Sequence, residues 1–268
     1  MSLSARNTWM PLARSLAADV AASAVRPMCI AIAGAQGSGK TTLAEILTEQ
    51  LILSGVSAVA CSLDDFYLER ARRIELSRTV HPLLITRGVP GTHDIELCAR
   101  TIDSVVRAPT PMPKFDKGLD DRVDRSAWPT VSVSDVVVIE GWCLGARPQA
   151  ADDLVAPVNE LESNEDADGR WRRYVNDALG RYQPLFGRFD RLVFLRVPDF
   201  HAVRRWRAEQ ETQLPKRRRM TAAQLRRFTA HYERLTYWML QDLPGRADLT
   251  VVLDNDHAIA TSVTKSRP

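Results

Sequence analysis

Lysine is scarce in this chain of 268 residues: only five of its 36 basic side chains are lysines, and arginine supplies the others. The basic residues are almost balanced by 33 acidic ones, which leaves a formal net charge of +3. That balance excludes the strong positive field expected of a dedicated nucleic-acid-binding protein. No uncharged apolar run reaches the roughly 18 residues that a membrane-spanning helix needs, so we expect no membrane partner.

Cysteine is also sparse, and the chain contains no C-x-x-C pair. The four cysteines are Cys29, Cys61, Cys98 and Cys143. Their wide spacing disfavours a zinc site or a thioredoxin-type redox pair, and we interpret them as buried free thiols. The alanine-rich stretch 15–25 faintly resembles a signal sequence, but Asp19 interrupts it. We therefore expect a reducing, cytoplasmic location.

The order of apolar runs predicts one domain behind a short helical segment. Residues 1–27 are predicted to form an N-terminal helical lead, and residues 28–268 a single domain. Helical patterns separate the predicted strands, which favours a three-layer α/β fold with a mainly parallel sheet and a ligand at the carboxyl ends of its strands. The Pro- and Asp-rich region 109–129 is predicted to be a loop over that ligand. The predicted strands are residues 28–33, 56–63, 136–139, 192–196 and 249–253.

A glycine-rich segment joins the first predicted strand to a predicted helix. Residues 34–41 read GAQGSGKT and match G-x-x-x-x-G-K-[ST] without a mismatch. The glycines let backbone N–H groups turn inward around phosphate oxygens, and the helix N-terminus adds partial positive charge. We expect Lys40 to bridge the β- and γ-phosphates and the Thr41 hydroxyl to bind Mg²⁺. The segment predicts a P-loop NTPase fold. The predicted nucleotide-binding residues are Gly34, Ala35, Gln36, Gly37, Ser38, Gly39, Lys40, Thr41 and Thr42.

The loop alone does not distinguish a GTPase, an ATPase motor and a small-molecule kinase. Acidic residues at the ends of other predicted strands are needed to choose between these classes. Asp64 and Asp65 follow the second predicted strand, where the hydroxyl group of an acceptor would lie. We assign Asp64 as catalytic base and metal partner, with Asp65 as the alternative base. A simple turn cap is the structural alternative for both. Glu140 lies at the end of the third predicted strand. We assign it to binding the metal or to orienting the nucleophile. The alternative is a structural carboxylate that is paired within the protein.

Three loops carry an unusual density of cationic or hydrogen-bonding side chains. Such groups suit a carboxylate and the charge of a migrating phosphoryl group, so we assign them to the acceptor. They are Arg87, His93, Lys114, Lys117 and Arg122. A further basic run at 216–219 is predicted to be a solvated helix face or lid tip, because no aromatic residues are interleaved with its charges.

Taken together, these motifs resemble the plant-type D-glycerate 3-kinase family, whose wider relatives are phosphoribulokinase, uridine kinase and pantothenate kinase. The resemblance covers nearly everything from Cys29 onward. Its segments are 34–41, Asp64-Asp65-Phe66-Tyr67, 87–94, 113–117, Asp121-Arg122, Glu140-Gly141-Trp142, 157–162, 205–207 and 228–236.

The resemblance implies ATP-dependent transfer of the γ-phosphoryl group to the 3-hydroxyl of D-glycerate, which gives 3-phospho-D-glycerate. It implies ATP and Mg²⁺ as cofactors, aligns Asp64 with the base of the wider superfamily, and makes Arg205 and Arg207 arginines of a helical lid. The chain departs from the plant form at 118–120 and in the acidic stretch 162–168.

Two alternatives stay open at this point. One keeps the reaction but changes the acceptor to a nucleoside, a sugar phosphate, a pantothenate-like molecule or another hydroxy acid. The other is an ATP-binding regulatory protein with little turnover, which a missing carboxylate at position 64 or missing lid arginines would favour. Neither is missing, so a small-molecule kinase with a hydroxy-acid substrate is the first hypothesis.

Overall fold

A computed structural model of the chain describes residues 3–212, 215 and 219–265. Its helices are α1 (Leu3–Ala22), α2 (Lys40–Leu53), α3 (Arg70–Thr79), α4 (Ile95–Val105), α5 (Glu160–Glu165), α6 (Arg170–Phe186), α7 (Phe200–Thr212) and α8 (Ala222–Asp242). Its strands are β1 (Met28–Gly34), β2 (Ala58–Ser62), β3 (Thr110–Pro111), β4 (Phe115–Asp116), β5 (Asp121–Arg122), β6 (Thr130–Val131), β7 (Val136–Gly141), β8 (Arg191–Arg196), β9 (Leu249–Leu253) and β10 (Ile259–Thr264).

Six strands form the central sheet in the order β10-β9-β8-β1-β7-β2. Five of them are parallel, and β10 alone runs antiparallel to its neighbour β9. The predicted α/β class with a mainly parallel sheet is confirmed, and all five predicted strands are present. The edge strand β10 was not predicted, because most of its side chains are exposed and it lacks the apolar run of a buried strand.

The core lies on both faces of this sheet. Every residue of β1 is buried, and its side chains alternate between the two faces, as a strand requires. Ile30 and Ile32 pack with α1 and α2 on one face. Ala31 and Ala33 pack on the other face, with residues of α4, α6 and α8. The fold is therefore a three-layer arrangement in which helices cover both faces.

Helix α1 is part of this core. Trp9, Ala13, Ala17 and Val20 recur at helical spacing, are at most 4 % exposed, and pack against the buried face of α2. The two alanines allow a close approach of the helix axes. As a result the α1 side chain nearest the start of α2 is the indole ring of Trp9.

The region 109–129, predicted to be a loop, contains short β-structure. Strand β3 pairs with β6, and β4 pairs with β5 in a small antiparallel hairpin. Two-residue strands are too short to produce a visible hydrophobic period, so the sequence pattern missed them. The hairpin carries Lys117 between its strands and Lys114 just before them.

Other sequence predictions have a direct outcome. All four cysteines are free and buried, as their spacing predicted. No helix in the described residues has both the length and the apolar character needed to cross a bilayer. Residues 216–218 of the predicted basic lid tip lie outside the described residues.

Candidate active site

The phosphate-binding loop occupies the turn between β1 and α2. Gly37 and Gly39 have φ angles of 83° and 89°, in the left-handed region that glycine adopts readily. Gly39 is the N-cap of α2, and Lys40 is the first residue of that helix. Backbone amides of such a turn point inward and, with the helix N-terminus behind them, form an anion-binding cradle.

Two tryptophans from different helices contact this loop. A Cβ atom added at Gly37 would lie 2.8 Å from Cβ of Trp206, which belongs to α7. A Cβ atom at Gly39 would lie 2.7 Å from the indole ring of Trp9, on α1. Real Cβ atoms do not approach other atoms this closely, so the two glycines are required for steric as well as conformational reasons. Trp9 and Trp206 thus restrict the shape of the loop.

Glu140 lies beside the loop because β7 pairs with β1. Its carboxylate accepts a hydrogen bond of 3.1 Å from the hydroxyl of Thr41 through Oε1. The side chain is buried, and Oε2 has no hydrogen-bond partner among the described residues. An anionic oxygen left unpaired in the interior is costly, and a hydroxyl with a carboxylate is the all-oxygen donor set that Mg²⁺ prefers. The two residues therefore fit a divalent-metal site.

Asp64 reaches the same edge of the sheet from β2. The register pairs Ser62 of β2 with Glu140 of β7, and a short 3-10 turn over Leu63–Phe66 follows β2 directly. The Ser62 hydroxyl accepts the N–H of Asp64 at the start of that turn. This cap fixes the turn and brings the Asp64 carboxylate to the carboxyl end of the parallel strands.

Both carboxylate oxygens of Asp64 have partners. The hydroxyl of Tyr67 donates to Oδ1 at 2.6 Å, and the ammonium group of Lys117 donates to Oδ2 at 2.6 Å. Burial alone would raise the pKa of Asp64, but Lys117, Lys40 and Tyr67 stabilise the anion and lower that pKa to about 2. Asp64 is therefore ionised at neutral pH.

One of the predicted acceptor ligands contacts this carboxylate, and two others contact residues next to it in the chain or in the hairpin. Lys117 contacts Asp64, and Lys114 contacts the neighbouring Asp65 at 2.7 Å. Arg87 forms an ion pair with Asp120, and its Nη2 donates to the Lys117 carbonyl at 3.4 Å. Contacts among these residues and their neighbours link the three cations that the sequence assigned together to the acceptor.

Arg122 is engaged elsewhere. Its guanidinium donates to the carbonyl of Tyr67 at 2.8 Å and contacts Asp94 at 3.4 Å. These contacts join β5 to the loop after β2. The prediction that Arg122 binds the acceptor stays a prediction, beside this observed structural role.

His93 is buried and uncharged. The hydroxyl of Tyr182 accepts the N–H of Gly91 at 2.9 Å and lies 2.8 Å from Nδ1 of His93. When that hydroxyl donates its proton to Nδ1, the imidazole hydrogen resides on Nε2. Burial lowers the pKa of His93 to about 4. His93 is thus a potential neutral donor, and its role toward the acceptor stays a prediction.

The two predicted lid arginines lie on α7 and have partners within the protein. Arg205 donates to the carbonyl of Asn255 at 3.1 Å and to its side-chain oxygen at 3.0 Å. Arg207 pairs with Glu211 at 2.5 Å and lies 5.6 Å from the ring centroid of Phe228. A lid function requires both to exchange these partners for phosphate oxygens, so it stays a prediction.

Sequence reasoning gave no role to several residues that shape the site. Tyr67 stands inside a motif already singled out, and its position three residues after Asp64 was the available signal. Tyr182 is 89 residues from His93 and Asp120 is 33 residues from Arg87, so only the folded chain brings each pair together. No local pattern could have identified these pairings.

The chain is similar to known proteins over part or nearly all of its length. A match to the family described as Zeta toxin spans residues 14–68. An uncharacterized kinase of Schizosaccharomyces pombe, mug58, is 32% identical, and the match covers 90% of each chain. The chloroplastic D-glycerate 3-kinase of Arabidopsis thaliana is 32% identical, over 70% of this chain and 41% of that protein. The solved D-glycerate 3-kinase of Cryptococcus neoformans is 25% identical with a TM-score of 0.75, over 99% of this chain and 100% of the other.

Proposed function

The chain belongs to the P-loop kinase family of the fission-yeast kinase and the plant D-glycerate 3-kinase, and from that membership we propose that it phosphorylates D-glycerate. The reaction transfers the γ-phosphoryl group of ATP to the 3-hydroxyl and gives 3-phospho-D-glycerate and ADP. Family membership itself makes the chain a phosphotransferase. The acceptor is the part that we propose.

One observation supports this acceptor more than any other. The carboxylate of Asp64 lies within 2.6 Å of the Lys117 ammonium, beside Arg87 and Lys114. A base surrounded by cations suits an alcohol that carries its own negative charge, because the cations can hold the anion while the base faces the hydroxyl group. D-Glycerate is a three-carbon acid of this kind.

The nucleotide side of the reaction is assigned to the glycine-rich loop. Its amides and Lys40 would hold the β- and γ-phosphates and stabilise the charge that develops on the transferring group. Thr41 and Glu140, with Asp64 at the neighbouring strand end, would hold Mg²⁺. When bound, Mg²⁺ supplies Lewis-acid stabilisation of the phosphoryl oxygens.

On the acceptor side we assign Asp64 as the general base. The 3-hydroxyl oxygen forms the new bond to the γ-phosphorus while the bond from that phosphorus to the bridging oxygen breaks and ADP leaves with the electron pair. The proton of the hydroxyl group passes to Asp64. Arg205 and Arg207 would close over the transferring group and exclude water.

The test is a panel of acceptors assayed for ATP-dependent ADP release: D-glycerate, L-glycerate, glycerol, uridine and pantothenate. We expect D-glycerate to give the highest kcat/KM and ³¹P NMR to locate the new phosphate on its 3-hydroxyl. The Lys40→Ala variant is the matched control, because its loss of ADP release with every acceptor assigns the activity to this chain. Turnover of uridine or pantothenate without turnover of D-glycerate would contradict the proposal.

A further inference from the structure

Each carboxylate oxygen of Asp64 already accepts a hydrogen bond in the arrangement observed. Its Oδ1 accepts the Tyr67 hydroxyl and its Oδ2 accepts the Lys117 ammonium, each at 2.6 Å. A base must accept a hydrogen bond from the attacking group before it can take the proton. Each oxygen keeps a second lone pair, but a carboxylate bound to an ammonium group is a weaker base, so departure of one partner makes Asp64 more reactive toward the hydroxyl group.

Lys117 is the partner that is free to move. Its side chain is 60% exposed and lies between the strands of the β4–β5 hairpin, on a flexible four-carbon stem. Tyr67, by contrast, is only 5% exposed. The ring of Tyr67 packs against those of His93 and Phe115, with centroids 4.8 and 5.2 Å away. Displacing Tyr67 would disrupt this packing, whereas displacing Lys117 would not.

The nature of the incoming molecule decides whether Lys117 moves. An ammonium group leaves one carboxylate readily only for another anion, because a neutral hydroxyl or water offers it far less electrostatic stabilisation. Arg87 donates to the Lys117 carbonyl and lies 5.4 Å from the Phe115 ring centroid. An anionic group held next to Arg87 would therefore be within the reach of the lysine.

We propose that Lys117 determines specificity for anionic acceptors and against water, by covering Asp64 until an acceptor carboxylate draws it away. This inference rests on the proposed function, since it gives a role to the charge of the acceptor. It also explains the use of lysine in an arginine-rich chain. A compact ammonium on a flexible stem exchanges partners more easily than a planar, forked guanidinium.

The reaction that Lys117 prevents is hydrolysis of ATP in the absence of an acceptor. There a water oxygen would form the new bond to the γ-phosphorus as the bond to the bridging oxygen breaks. ADP would leave with the electron pair, and Asp64 would take one proton of the water. With Lys117 on Oδ2, Asp64 is a weaker base for that water.

The experiment measures acceptor-free ATP hydrolysis in Lys117→Gln, Lys117→Arg and wild type. We expect Lys117→Gln to hydrolyse ATP about tenfold faster or more, since an available general base contributes roughly 10²–10⁴-fold. Lys117→Arg retains a cation beside Asp64 and should hydrolyse ATP more slowly than Lys117→Gln. The control is Arg72→Gln, which removes an exposed cation paired with Glu75 on α3 and should have no effect. An unchanged or lower rate in Lys117→Gln would overturn the proposal.

A second measurement tests whether an added anion displaces Lys117 in the wild-type protein. Propionate is an anion without a transferable hydroxyl group, and propionamide is its neutral analogue. We expect propionate, but not propionamide, to stimulate ATP hydrolysis in the wild type, and neither to stimulate it in Lys117→Gln. Equal effects of the two compounds on the wild type would refute displacement by an anion. If D-glycerate is not phosphorylated but Lys117→Gln still hydrolyses ATP faster, the acceptor assignment fails and the role of Lys117 stands.

Discussion

The contact between Trp9 and Gly39 makes a quantitative prediction. In Gly39→Ala the new methyl group meets two difficulties. The residue has a φ of 89°, where a residue other than glycine costs about 1–2 kcal/mol. The methyl carbon would also lie 2.7 Å from the Trp9 ring, and overpacking of this kind costs about 1–3 kcal/mol. We therefore expect the free energy of unfolding to fall by about 2–5 kcal/mol.

Gly55 provides a matched control. Its φ is 81°, and a Cβ atom there would meet nothing within 4 Å. Gly55→Ala should therefore cost only the backbone part, about 1–2 kcal/mol. The difference between the two variants isolates the steric part at Gly39.

Replacing Trp9 by the shorter leucine tests whether the indole ring causes the steric cost of Gly39→Ala. In urea unfolding followed by circular dichroism, Gly39→Ala combined with Trp9→Leu should be about 1–3 kcal/mol more stable than the sum of the single changes predicts. The pair Gly55→Ala and Trp9→Leu should be additive within about 0.5 kcal/mol. Additivity at Gly39 as well would refute the claim that the indole ring restricts the loop.

Three further predictions concern the site and its pH dependence. Asp64→Asn should keep ATP affinity in isothermal titration but lower kcat about 100-fold or more, and a kcat near wild type would remove Asp64 from its assigned role. Glu140→Gln retains an acceptor for the Thr41 hydroxyl but loses the charge, so half-maximal activity should need about 10–100-fold more Mg²⁺; an unchanged Mg²⁺ titration would contradict this. Burial lowers the pKa values of His93 and His231 to about 4. Between pH 6.5 and 4, each histidine therefore binds more protons in the unfolded chain than in the folded chain. Lowering the pH from 7 to 5 should reduce the free energy of unfolding by about 2 kcal/mol for each histidine. Urea titrations at both pH values should show a drop that is about 2 kcal/mol smaller in His231→Gln, and an equal drop would contradict the assignment.

The parts of this molecule that the sequence predicted are those that local pattern encodes. The apolar run at 28–33, the glycine-rich turn and the helix after it follow one another in the chain, so spacing alone identified the nucleotide cradle. Asp64 and Glu140 could be assigned to one edge because parallel strands end on the same side of a sheet.

What the sequence did not reveal depends on contacts between distant residues. The acidic stretch 162–168 was identified only as a departure from the plant form, but Glu162 is buried and pairs with Arg234, 72 residues further along the chain. Asp166 in the same stretch is buried against Arg172. Tertiary packing makes these carboxylates internal, which charge composition alone does not show. Strand β10 was missed for the converse reason, since an exposed edge strand carries no hydrophobic signal.

The two tryptophans beside the phosphate-binding loop also have a spectroscopic consequence. Trp9 and Trp206 are both buried, and Trp206 stacks on the His257 ring with centroids 4.1 Å apart. Indole emission responds to nearby charge and to solvent entry. A triphosphate bound to the loop that these residues contact would bring charge close to both, so we expect indole emission to report nucleotide occupancy without an attached dye.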